Sequence, residues 1–148
     1  MYYERFGIPF NIFRICVPYG NNFDNNYSFG TVGHFLKKAI QGENIALYGD
    51  GSLKRTFTHI NDVCHQINTI LLDPTNINET YNIAGETFSL YEVATFISNR
   101  FKVIVENIAW PNDDLKIESG HTYFDSSKIS RQVEVPIKTK FTEWVEQI

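Results

Sequence analysis

No apolar run in this 148-residue chain approaches the roughly 20 residues that cross a bilayer, so neither a spanning helix nor a membrane partner is expected. Cationic residues are too few to coat a surface. Thirteen Lys and Arg stand against seventeen Asp and Glu, the signs are interspersed and the net charge is -4, which argues against nucleic acid as a partner. Cysteine is scarce as well. Cys16 and Cys64 both sit in apolar runs and read as small buried hydrophobes in a reducing compartment, not as a disulfide framework or a metal site. The opening Met1-Tyr2-Tyr3-Glu4-Arg5-Phe6 lacks the apolar core of a signal peptide and the character of a transit peptide, so a cytoplasmic location is expected. There is no internal repeat, low-complexity tract or interdomain linker.

What is present is globular. Hydrophobic residues make up 43% and aromatics 15%, and the length suits one domain over residues 1–148. Strand-like and helix-like segments alternate, which predicts an α/β fold. Residues 10–17 form a near-continuous apolar run with Ile12, Phe13, Ile15 and Cys16, as a buried strand would. Val32, Phe35, Leu36, Ala39 and Ile40 make a helical stripe stopped by Gly42. Val63, Ile67, Ile70 and Leu71 mark a second helix that Asn61 or Asp62 is placed to cap and Asp73-Pro74 ends. Tyr81-Asn82-Ile83 is a short strand, and Ser89-Leu90-Tyr91-Glu92 is a capping box opening a third helix with Val93, Phe96 and Ile97 inward. Residues 103–108 alternate like a strand. A short helix starts at Ser126 or Ser127, and Phe141, Trp144, Val145 and Ile148 form a last amphipathic one.

The most informative stretch is residues 45–63. An apolar strand, a Gly49-Asp50-Gly51 turn and an alternating second strand predict a β-hairpin, with a helix start directly after it. Arg55 stands at the root of the second strand. Its planar guanidinium is either a solvated hairpin charge or a two-pronged grip for a phosphate or carboxylate.

Taken in order, these motifs resemble the C-terminal part of the nucleotide-sugar epimerase/dehydratase family, the extended short-chain dehydrogenase/reductases. The carriers are Arg14-Ile15-Cys16-Val17-Pro18-Tyr19-Gly20-Asn21, then Tyr48-Gly49-Asp50-Gly51 with Arg55 and Asp62. Tyr81-Asn82-Ile83-Ala84-Gly85 and Asp125-Ser126-Ser127-Lys128 follow. The resemblance implies mixed short sheets with about five helices and a Rossmann cofactor domain that is largely absent. It implies a nucleotide-diphosphate sugar as partner, with Arg55 on the diphosphate and Leu47 and Tyr48 along the base. His34 is implied at a phosphate or base contact. Val17 stands where the family has an Asn touching substrate phosphates or the cofactor edge, and Asn22 is a substitute for that Asn from the following loop. Ile15 and Cys16 would border the cofactor. His34 reads equally as a solvated helix residue, Tyr48 as hairpin core, and Asp62 as a helix cap or an Arg partner.

The family's chemistry uses NAD or NADP, a glycine-rich turn under the pyrophosphate and a Tyr-x-x-x-Lys pair. No three glycines fall at the dinucleotide spacing here, and no Tyr has a Lys four positions later. The resemblance thus implies that residue 1 falls just after the helix carrying that pair. The chain is expected to supply no catalytic residue, to hold no cofactor tightly and not to turn over alone. Its implied role is a substrate-binding half, or else a binding or scaffold module that completes a separately encoded cofactor domain. Strands left without neighbours would drive self-association or pairing with that domain. The family's Arg-Pro-Gly-Asp segment also has no counterpart. The acidic residues 113–121 stand there, and they would repel a diphosphate unless Lys116 or His121 turns inward.

Overall fold

The computed structural model describes residues 2–20, 27 and 30–148. In chain order the elements are α1 (Tyr2–Phe6), β1 (Asn11–Arg14), β2 (Val17–Tyr19), α2 (Gly30–Ile40), β3 (Ile45–Tyr48) and β4 (Lys54–His59). They continue with α3 (Ile60–Leu72), β5 (Glu79–Asn82), β6 (Glu86–Ser89), α4 (Leu90–Phe101), β7 (Val105–Ile108), α5 (Asn112–Ile117), α6 (Ser127–Ser130) and α7 (Phe141–Gln147). The expected mixed α/β architecture with short sheets is present, with seven helices among the described residues. The short α1 and α5 carry no apolar stripe long enough to read, and β6 merges in sequence with the capping box of α4.

Three small sheets result. β1 pairs parallel with β5, β3 parallel with β7, and β4 sits between parallel β2 and antiparallel β6. Two expectations need correction. The apolar run 10–17 is not one buried strand: it breaks at Ile15 and Cys16 to serve two sheets, and Ile12 and Ile15 are exposed. The 45–59 segment is not a hairpin either, since β3 and β4 lie in different sheets. Gly49 and Gly51 both take positive φ, and the Asp50 carboxylate accepts the Ser52 amide, so the chain turns out of the β3 plane before β4 begins. Cys64 is exposed and Cys16 only partly buried, so neither packs as a core hydrophobe.

Two apolar clusters hold the layers. The larger gathers Val32, Phe35, Leu36 and Ala39 of α2, Ile45 and Leu47 of β3, Phe57, Val93 and Ile97 of α4, and Phe141, Trp144 and Val145 of α7, while Ile40 is exposed. The smaller joins Val63 and Ile70 of α3 to Tyr81, Ile83, Ile129 and Val133. The Ser89–Glu92 capping box forms as expected. The cap of α3 is different: His59 Nδ1 accepts the Asn61 amide. Asp62 is buried and instead accepts the amides of Lys138 and Thr139, fastening the approach to α7. The Tyr19 hydroxyl donates to Thr139 O, and the Glu86 carboxylate accepts the Phe141 amide. Burial, reinforced by Glu86, Asp62 and Glu143, holds the Tyr19 phenol protonated far above its usual range.

The junction between β5 and β6 crosses directly over β4. Gln66, wholly buried, donates to Ala84 O and Pro136 O and accepts the Ala84 amide, while Thr58 Oγ1 donates to Ala84 O as well. A Cβ on Gly85 would fall inside 3.0 Å of both Thr58 Oγ1 and Phe57 O. Gly85→Ala is therefore expected to destabilise by about 3 kcal/mol, lowering Tm by about 6–12 °C in a thermal melt.

His59 supplies a second test. Burial holds its imidazole pKa below the usual value, with nearby Asp62 opposing the effect. The unfolded chain then takes the proton first, so stability is full above about pH 6.5 and declines as pH falls below it. Melts from about pH 7.5 to about pH 5.5 should show that decline. His59→Asn, which keeps a capping side chain without the titration, should flatten it.

Candidate functional site

Arg55 lies near the start of β4, opposite Phe88 of β6 and bridged to Thr122 on its other side. Residues 118–124 run beside it as an irregular edge. The Thr122 amide donates to Lys54 O, the Lys54 amide to His121 Nδ1, and the Phe124 amide to Thr56 Oγ1. The guanidinium is held by this edge and is not free in water. Its Nη1 donates to Lys54 O at 3.0 Å and to Gly120 O at 2.6 Å, and its Nη2 meets Glu118 Oε1 at 2.9 Å. The two charged side chains are 16% and 21% exposed, so the pair is largely withdrawn from solvent screening.

The same edge draws in the end of the first apolar run. Cys16 Sγ donates to Thr122 O, and Val17 pairs with Phe57, two residues along β4 from Arg55. Cys16 and Arg55 thus meet at Thr122, Val17 lies on β2 along the same strand β4, and Ile15 is exposed.

The other expected contacts lie elsewhere. The Leu47 side chain is buried in the core, while Tyr48 is 41% exposed. On one edge β3 pairs with β7, and Ile45 and Gly49 donate to Ile104 and Ile108. Parallel alternation turns the amides of Ala46 and Tyr48 to the opposite edge, which has no strand beside it among the described residues. Tyr48 also tilts against Trp110, ring centroids 5.1 Å apart. The indole covers the bend so closely that a Cβ on Gly49 would lie 2.7 Å from its Nε1. His34 is exposed on α2, away from the buried stripe, and α2 packs chiefly on α4, with β2 and β3 beside it. Asn22 lies outside the described residues.

Sequence reasoning missed Glu118 and Trp110. It looked for Lys116 or His121 to turn inward, but Lys116 pairs with exposed Asp113 and His121 accepts a backbone amide. The residue that folds inward is Glu118. The available signal was Gly120, whose φ of +77° makes the bend returning Glu118 to β4.

The sequence profile of the NAD dependent epimerase/dehydratase family matches residues 1–84, and the chain belongs to that family. It is 33% identical over 100 residues, 67% of its length, to an uncharacterized UDP-glucose epimerase, YtcB, of Bacillus subtilis, covering 31% of that protein. It is 31% identical over 93 residues, 62% of its length, to UDP-N-acetyl-alpha-D-glucosaminuronate decarboxylase of Bacillus cytotoxicus, covering 29% of that one. Among solved structures, DesIV, a dTDP-glucose 4,6-dehydratase of Streptomyces venezuelae with NAD and TYD bound, superposes at TM-score 0.81 and 22% identity. The match spans 99% of this chain and 44% of that one. UDP-glucuronic acid 4-epimerase of Bacillus cereus, in complex with UDP-glucuronic acid and NAD, gives 0.79 and 23% over 98% and 45%. The chain therefore spans about a third of these curated relatives and under half of these solved chains.

The family implies NAD, and the residues here do not by themselves make a dinucleotide cradle. The sequence lacks the three-glycine spacing, and of the two residues expected to border the cofactor Ile15 is an exposed aliphatic side chain and the Cys16 thiol is already bonded to Thr122. Among the described residues no group of His, Cys, Asp and Glu could hold a metal ion, and no helix is long and apolar enough to cross a membrane.

Proposed function

We propose that this chain is the sugar-nucleotide-binding portion of an NAD- or NADP-dependent nucleotide-sugar epimerase/dehydratase. The reading is carried by the part-buried Arg55 guanidinium, fixed between β4 and the Gly120 bend beside Cys16 and Val17. Arg55 grips the diphosphate through charge-assisted hydrogen bonds, which a planar fork makes in pairs. The free edge of β3 at Ala46 and Tyr48 takes the base through main-chain groups, so Leu47 contributes backbone and Tyr48 a ring. Val17 and Asn22 flank the phosphates, His34 reaches them from α2, and Ile15 and Cys16 meet the cofactor edge. In the intact enzyme the NAD or NADP that this reading implies would supply transient hydride chemistry at the sugar. The residues of this chain bind and orient, and alone they do not turn over.

The apolar surface around β1 supports a second part of the reading. Phe6, Ile8, Phe10 and Ile12 are all exposed near a two-stranded parallel sheet that no third strand extends among the described residues, Lys128 covering Thr80 O on the β5 side. This face pairs with a cofactor domain or, failing that, with another copy. Unbridged Cys16 and Cys64 fit a cytoplasmic setting.

UDP- or dTDP-sugars at a hundredfold excess over Kd are expected to raise Tm by about 5 °C or more. Arg55→Ala, checked for folding by circular dichroism, should weaken that binding about 10-fold to 100-fold. Binding that survives Arg55→Ala would remove the diphosphate assignment. Sedimentation velocity at rising concentration should show association, and a compact monomer throughout would count against the pairing face.

A further inference from the structure

We propose that Glu118 is a resident competitor for the anion site of Arg55, so that a diphosphate is gripped only when the turn at residues 118–120 swings off the guanidinium. The inference rests on Arg55 being the diphosphate ligand and adds what controls access to it.

The turn's composition sets Glu118 apart from its neighbours. Asp113 and Lys116 pair with each other in the open, and Leu115 and Ile117 are 56% and 81% exposed. Glu118 alone folds back. Its Oε1 receives Arg55 Nη2 at 2.9 Å and the Gly120 amide at 2.9 Å. One anionic oxygen between a guanidinium and a main-chain amide is the environment that a phosphoryl oxygen seeks, and the carboxylate occupies it.

The turn is also built to move. Gly120 adopts φ +77°, and a Cβ placed on it would meet nothing within 4 Å, so no packed neighbour holds the bend from outside. The hold comes from the bonds to Arg55 and, just beyond the bend, from the Lys54 amide on His121 Nδ1 and the Thr122 amide on Lys54 O. Release therefore swings residues 118–120 about Gly120 while the edge from Thr122 onward keeps its place.

Exchange is close to balanced, since a freed carboxylate regains its hydration as the phosphate loses some. A ligand with a single charged oxygen gains little over Glu118. A diphosphate, which presents several charged oxygens to the freed Arg55 fork at once, gains more. Glu118 thus tunes both affinity and the preference for two linked phosphoryl groups.

Titration calorimetry with UDP and with inorganic pyrophosphate tests this on the wild type, Glu118→Gln, Gly120→Ala and Arg55→Ala, each first checked by thermal melt. Glu118→Gln should bind both ligands about tenfold more tightly. Gly120→Ala, which strains the bend but keeps the carboxylate, should shift affinity the same way. Unchanged or weaker binding by Glu118→Gln, while Arg55→Ala abolishes it, overturns the proposal and leaves the diphosphate site standing, with Glu118 then a positioning residue. Binding that persists in Arg55→Ala overturns the site itself. Failure of both the wild type and Glu118→Gln to bind either ligand also overturns the proposal.

Discussion

The structure depends on how one short crossing is satisfied. Between β5 and β6 the chain leaves one sheet for another, and at Ala84 it can join neither ladder. A buried main-chain amide and carbonyl left bare there would cost about 1–3 kcal/mol each. Gln66 acts as a substitute strand, returning both hydrogen bonds from a single side-chain amide, with Thr58 adding a third contact to the carbonyl. The glycine that follows lets the crossing lie directly on β4. Because Gln66 also bonds Pro136 O, the same side chain ties the start of the C-terminal segment to the junction between the two apolar clusters.

That crossing makes β4 the common support of the candidate site. β2 runs along one of its edges, β6 along the other, and residues 118–124 extend the first turn of ladder beside Arg55. Backbone on both sides fixes the strand position of Arg55, while its guanidinium is held by Gly120 O and Glu118 of the neighbouring turn. Further along the strand, His59 closes β4 by capping α3, while Tyr19, Asp62 and Glu86 anchor the segment leading to α7. The site and the core are fastened by one strand.

Elements with a strong local period were legible from residues alone. The α2 stripe from Val32 to Ala39, the Ser89–Glu92 box and the stop at Asp73-Pro74 all form as the sequence indicates, while Ile40, expected in that stripe, turns out to water. Partnership was less legible. Asp-Gly between two strands favours a hairpin locally, but Ile45 and Leu47 bury against the larger cluster beside β7, and burial overrides the turn preference. Asp62 sits where a cap would, and its carboxylate is claimed by two amides some 76 residues away, which no local pattern encodes. The arginine was visible as a candidate ligand, while its carboxylate partner was hidden in a stretch of acidic residues that otherwise face water. Family membership came from the order of several weak motifs, none of which is diagnostic alone.

Trp110 and Trp144 are the two indoles of the chain, and they stand in opposite surroundings. Trp144 is 4% exposed and lies among Tyr19, His59 and Phe141, whereas Trp110 rests over Gly49 at the rim of the Tyr48 shelf. The fold thereby carries two native fluorophores in distinct surroundings, one sealed in the interior and one half-buried over the bend beside Tyr48, so that the second is the one placed to sense events at the free edge of β3.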